Sequence, residues 1–175
     1  IGADLGGAAA ALKEFKAPEG RGQRREISWQ GGSLVLIDES YNASPVSMEA
    51  AIGVLSAAKP KGVGRRVAVI GDMLELGSES EEMHANLAGP LTSGGIDLVF
   101  TAGRLTSALW DRLPSAIRGG HANSAKELAP LVMEAIGNGD VTMVKGSLGS
   151  QMSEVVKVLD ALGDEFKISK AADGE

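Results

Sequence analysis

The chain has 175 residues and a formal charge of −6, with 43% hydrophobic and only 3% aromatic residues. The acidic balance argues against a general nucleic-acid binder, which needs basic patches to displace counterions. Zero cysteines exclude disulfides, thiolate zinc sites and a cysteine nucleophile, and only two histidines leave little room for a histidine metal site. No apolar run reaches the roughly 20 residues of a membrane helix.

An Ala-rich stretch, Gly6 to Lys16, reads as the end of a helix broken by Pro18, Gly20 and Gly22. Glu26–Trp29 and Ser33–Asp38 read as two strands turning at Gly31-Gly32. The second is a nearly continuous apolar run, as in a strand buried on both faces. Ser44-Pro45 offers an N-cap and a first-turn proline, and Met48, Ala51, Ile52 and Leu55 recur at helical spacing, so Pro45–Ala58 is predicted helical. Strand Arg66–Ile70, helix Ser78–Leu87, strand Ile96–Thr101 and helix Arg104–Leu113 follow. His121 reads as a loop residue. Helix Ala122–Ile136 is capped by Asn123 or Ser124, strand Val141–Val144 comes next, and helix Leu148–Leu162 precedes a polar, frayed tail from Ser169.

Strands of four to six apolar residues between helices predict an α/β fold: a Rossmann-like, mostly parallel sheet with helices on both faces. Ligands on such sheets bind beyond the carboxyl ends of the strands. The informative loops therefore follow Asp38, Ile70, Thr101 and Val144. In the second, Gly71 lets the backbone turn and Asp72 can accept from ribose hydroxyls or simply cap a helix. Lys145-Gly146-Ser147 places backbone N–H groups, a cation and a hydroxyl before a helix, which suits an anion or merely tight packing. Neither a Gly-x-x-x-x-Gly-Lys-Ser/Thr loop nor a helix-opening Gly-x-Gly-x-x-Gly occurs. Tyr41 is the only tyrosine, and Asn42 beside it can read an adenine edge or organise its own loop. Arg104 can meet phosphate or be solvated. His84, alone in a helix, reads as a surface or packing residue.

Three segments together resemble the C-terminal part of the Mur ligase family. LIDESYNASPVSMEAAI (Leu36–Ile52) is similar to the family's DDSYNANP junction, VAVIGDMLELGSESEEMH (Val67–His84) to GDMLELG…H, and VKGSLGSQM (Val144–Met152) to KGSRG…M. The second pattern points to the ligases that add D-alanyl-D-alanine. The resemblance implies residues 1–40 as the end of a central ATPase domain and 41–175 as a C-terminal domain. It implies ATP-dependent amide formation on UDP-N-acetylmuramoyl-tripeptide through an acyl phosphate, in peptidoglycan synthesis in a bacterial cytoplasm, by a monomer.

It further implies Asn42, Tyr41 and Asp72 near ATP, and Lys145, Gly146 and Ser147 on the D-alanyl-D-alanine side. His84 matches a family position without an evident role. Mg2+ and the catalytic groups are expected in the missing central domain. Leu148 stands where the family usually has Arg, and Ser44 where it usually has Asn. The chain opens on Ile1 and is read as a fragment. Another Mur-type amino-acid ligase and a stand-alone nucleotide-binding module remain alternatives.

Overall fold

The computed structural model describes residues 4, 6–7, 17–29 and 32–172. The Ala-rich stretch expected to be helical lies largely outside them. Among the described residues six strands form one sheet: β1 (Gln23–Trp29), β2 (Gly32–Glu39), β3 (Arg66–Gly71), β4 (Leu98–Ala102), β5 (Arg118–Ala122) and β6 (Val141–Lys145), in the spatial order β1-β2-β6-β3-β4-β5. Only β1 runs antiparallel to its neighbour. The helices are α1 (Pro45–Ser56), α2 (Ser80–Asn86), α3 (Ala88–Ser93), α4 (Ser107–Arg112), α5 (Ala125–Ala135) and α6 (Ser153–Ala172).

The pleat sends successive strand residues to opposite faces, so each buried strand feeds two cores. Ala68 and Ile70 join Met48, Ile52, Leu91 and Leu109 beneath α1 to α4. Val67 and Val69 join Leu36, Leu128, Val132 and Leu159 beneath α5 and α6. The chain steps outward through β2, β3, β4 and β5 by one face. It returns through α5 on the other face to insert β6 between β2 and β3, so every parallel crossover has the same hand, as the right-handed rule for such units requires.

Local chemistry sets the boundaries. Ser44 accepts from Ser47 N at 3.3 Å, and the Ser47 hydroxyl accepts from Ser44 N at 2.8 Å, a reciprocal cap with Pro45 in the first turn. Leu148–Ser150 is a 3₁₀ turn, and Gln151, at φ +55°, separates it from α6. The long α6 then continues to Ala172, through the segment expected to fray.

β2 is hydrogen-bonded to both β1 and β6, so the strands that precede residue 40 share one sheet with those that follow. Arg25 on β1 reinforces this: it donates to both Asp160 oxygens on α6, at 2.8 and 2.6 Å, and lies 3.6 Å from the buried Asp38. These carboxylates, Asp160 foremost, push its pKa above the usual guanidinium value.

One expectation is corrected: β5 carries His121 in a strand rather than a loop. Its sequence, RGGHA, lacks the apolar alternation of a strand. Phe100 of β4 supplies the missing bulk, since a Cβ on Gly119 would lie 2.6 Å from its ring. Gly119→Ala is therefore expected to overpack this site and lower unfolding free energy by about 1–3 kcal/mol. Urea titration followed by circular dichroism measures this; parental stability would show that the ring leaves room.

Candidate functional site

β6 lies between two strands whose chains turn away toward α1 and α2, while its own chain turns toward α6 on the opposite face. This divergence opens a crevice at the carboxyl end of β6, the switch point where α/β sheets bind ligands. Three loops meet there: 40–44 after β2, 72–76 after β3 and 146–152 after β6. Gly71 and Gly146 let them close up, since a Cβ on either would run into the Met152 side chain.

Ser147 is the hub. Its N–H donates to Asp72 O at 3.0 Å, its hydroxyl accepts from Leu74 N at 2.9 Å, and that hydroxyl points at Ala43 O at 3.5 Å. One residue of the β6 loop thus bonds to both neighbouring loops. Lys145 makes a second tie. Its ammonium donates to Asn42 O at 2.8 Å and lies 3.5 Å from Glu39 Oε2. Burial is the main cause that holds its pKa below the usual lysine value, partly opposed by Glu39.

The groups facing outward are different ones. Asp72 is half-buried; its Oδ1 accepts from Thr106 N at 2.9 Å, beneath Gly103, whose φ of +114° no side chain would tolerate. This bond orients the carboxylate, while Oδ2 has no hydrogen-bond partner among the described residues. Asn42 is exposed, and its Oδ1 accepts from Ala43 N at 2.9 Å, which leaves its NH2 donors facing solvent. The Tyr41 ring carries the Arg21 guanidinium 4.3 Å from its centroid. Leu148 is 62% and Leu74 39% exposed, a small apolar rim on the crevice.

The sequence-predicted residues therefore separate. Tyr41, Asn42, Asp72, Lys145, Gly146 and Ser147 converge at the switch point, but the polar groups of Lys145 and Ser147 are engaged by the protein itself. Arg104 does not join them; it forms an exposed pair with Glu81 at 3.1 Å. His84 is wholly buried rather than a surface residue, and its ring bonds to the loop carrying Asp72. Thr106 escaped sequence reasoning: a single threonine after a strand carries no spacing signal, and it is its backbone N–H that meets Asp72, while its hydroxyl donates to Gly103 O.

Among the described residues, no group of three or more His, Cys, Asp or Glu gathers to hold a metal ion. No helix there is long and apolar enough to cross a membrane.

Comparison with known proteins agrees with this fold. The chain is 35% identical over 152 residues to the UDP-N-acetylmuramoyl-tripeptide–D-alanyl-D-alanine ligase of Bacillus subtilis, covering 85% of this chain and 33% of the relative. The chain thus spans about a third of such a protein. The fold superposes on a crystal structure of MurF from Acinetobacter baumannii with a TM-score of 0.76 and 25% identity, covering 91% of this chain and 34% of that one. A MurF ligase from Thermotoga maritima, crystallised with ADP, shares the fold at a TM-score of 0.70 and 24% identity, over 88% of this chain and 33% of that one. Residues 20–148 match the family described as the Mur ligase glutamate ligase domain, and the chain belongs to that family.

Proposed function

We propose that this chain is the C-terminal domain of a bacterial ATP-dependent ligase that joins D-alanyl-D-alanine to UDP-N-acetylmuramoyl-tripeptide in the cytoplasm, acting as a monomer. The observation that carries the reading is the switch-point crevice. It is built by the same three segments that resemble the D-alanyl-D-alanine-adding ligases. The name of the Bacillus subtilis relative supports it.

Asp72 fits a nucleotide. Thr106 N fixes one carboxylate oxygen, and the other can accept from a ribose hydroxyl. Asn42 offers its amide donors to an adenine ring, and Tyr41 flanks the same loop. ATP, when bound, supplies the phosphoryl group that activates the peptide carboxylate. Among the described residues no group of three or more His, Cys, Asp or Glu is gathered to hold a magnesium ion. We assign it to the remaining two-thirds of the enzyme, together with the phosphate-binding loop this chain lacks.

Lys145, Gly146 and Ser147 shape the side of the crevice assigned to the amine substrate. Lys145 and Ser147 do so by holding the loops, because their polar groups already have protein partners. The surface offered to a small dipeptide is the exposed Leu148–Gly149 backbone with the Leu148 and Leu74 side chains. An apolar rim suits methyl side chains, and Leu148 cannot donate to a carboxylate as Arg would.

In the full-length enzyme, Asp72→Ala is expected to raise the KM for ATP about tenfold or more, since a hydrogen bond to a charged group is worth roughly 1.5–3 kcal/mol. Initial rates of ADP release measure this, and an unchanged KM removes Asp72 from the nucleotide site. Lys145 gives a pH signature. Burial lowers its folded pKa, so the unfolded chain holds this proton more tightly. Its contribution to stability must therefore rise as pH climbs from the lowered folded value toward the ordinary lysine value. The unfolding free energy of the parent relative to Lys145→Met is expected to increase over that alkaline window in urea titrations. A flat or falling difference would show that the ammonium is well solvated.

A further inference from the structure

The segment Asp72–Leu74 is held by its backbone from two sides. Ser147 binds Asp72 O and Leu74 N, as described above. The middle group, Met73 N, donates to His84 Nε2 at 2.8 Å. The other ring nitrogen, Nδ1, lies 2.6 Å from Ser80 O. A carbonyl only accepts and a backbone N–H only donates, so the hydrogen sits on Nδ1 and Nε2 is bare. Both His84 and Met73 are 0% exposed. A hydrocarbon of the same size would fill the space but leave Met73 N buried with no acceptor, which is the costly case.

The loop between these residues has reason to need an anchor. Glu75 sits at φ +64°, a conformation that non-glycine residues rarely adopt and that persists only where the surroundings impose it. This turn brings the chain back from the crevice into Gly77–Glu79 and then α2, where His84 closes the circuit on Met73. Asp72 precedes the anchored amide directly. Its carboxylate is therefore aimed by Thr106 from one side and by the His84-held backbone from the other.

We propose that His84 is a positioning residue for the ligase reaction: it accepts from Met73 N and donates to Ser80 O, and so fixes the Asp72 carboxylate at the crevice without touching the nucleotide. The proposal rests on the reading of Asp72 as a ribose partner.

The test compares His84→Phe and His84→Gln in the full-length enzyme, alone and with Asp72→Ala. Phe removes the acceptor, and Gln returns an amide oxygen within reach of Met73 N. His84→Phe is expected to raise the KM for ATP about tenfold with little change in kcat, and His84→Gln to restore most of it. Added to Asp72→Ala, His84→Phe should raise the KM no further, because both act through one carboxylate. A raised KM in Asp72→Ala with an unchanged one in His84→Phe overturns this proposal alone. An unchanged KM in Asp72→Ala overturns the ribose reading and this proposal with it. Independent, multiplying effects also overturn it. If His84→Phe does not fold, His84→Asn carries the same comparison, since it keeps a donor near Ser80 O and cannot reach Met73 N. Long-range 1H–15N spectra of the 175-residue chain must show Nδ1 protonated and Nε2 bare; a proton on Nε2 contradicts the assignment.

Discussion

Inserting β6 between β2 and β3 imposes one demand on everything around it. The strand is buried on both faces and paired on both edges, and its chain must leave toward the face opposite to that taken by its neighbours. Three loops then diverge from adjacent strand ends, and their backbone groups lose the ladder that satisfied them. Burying such groups without partners is costly, so the loops must satisfy one another. Ser147 and Lys145 meet that demand: each reaches from the carboxyl end of β6 to a neighbouring loop. The crevice that suits a ligand and the ties that hold it have the same origin.

This arrangement assigns different work to residues that look equivalent in a motif. In Lys145-Gly146-Ser147, the charged and hydroxyl groups point into the protein, and the exposed Leu148 and Gly149 that follow line the opening. In Gly71-Asp72-Met73-Leu74, the carboxylate faces the crevice while Met73 is sunk in the core. The ligase reading thus places ligand contact on few groups, principally Asp72, the Asn42 amide and the β6-loop backbone. The buried residues keep these in register before any ligand arrives, which limits the ordering that binding must impose.

Much of the fold was legible because buried parallel strands have no polar face. The runs at Leu34–Ile37, Val67–Ile70 and Val141–Val144 announce themselves, and Ser44-Pro45 marks its helix start by cap chemistry. What escaped was structure whose signal belongs to another element. β5 is a strand because Phe100 of β4 fills the space over its glycines. The six-residue α3, AGPLTS, is too short and too rich in helix-poor residues to show a period. The β1–β2 hairpin belongs to this sheet through long-range pairing with β6 and the Arg25–Asp160 contact, neither visible locally. At the site, the positions of Asp72, Lys145 and Ser147 followed from strand ends. Their partners did not, since burial and hydrogen bonding are properties of the assembled loops. His84 shows this most clearly: a lone helical histidine reads as packing until its two ring nitrogens are traced to Met73 N and Ser80 O.

The most direct test of the cross-tied crevice is native-state amide hydrogen exchange of the 175-residue chain at Met73, Leu74 and Ser147. Amides donating to buried, fixed acceptors exchange only when the structure opens, whereas loop amides facing solvent exchange freely. The expected result is protection at all three approaching that of the β6 amides, with Ser147→Ala abolishing it at Leu74 and sparing Met73. Rapid exchange of these amides in the parent chain, at rates of unstructured loop residues, would contradict the picture of loops fixed before ligand binding.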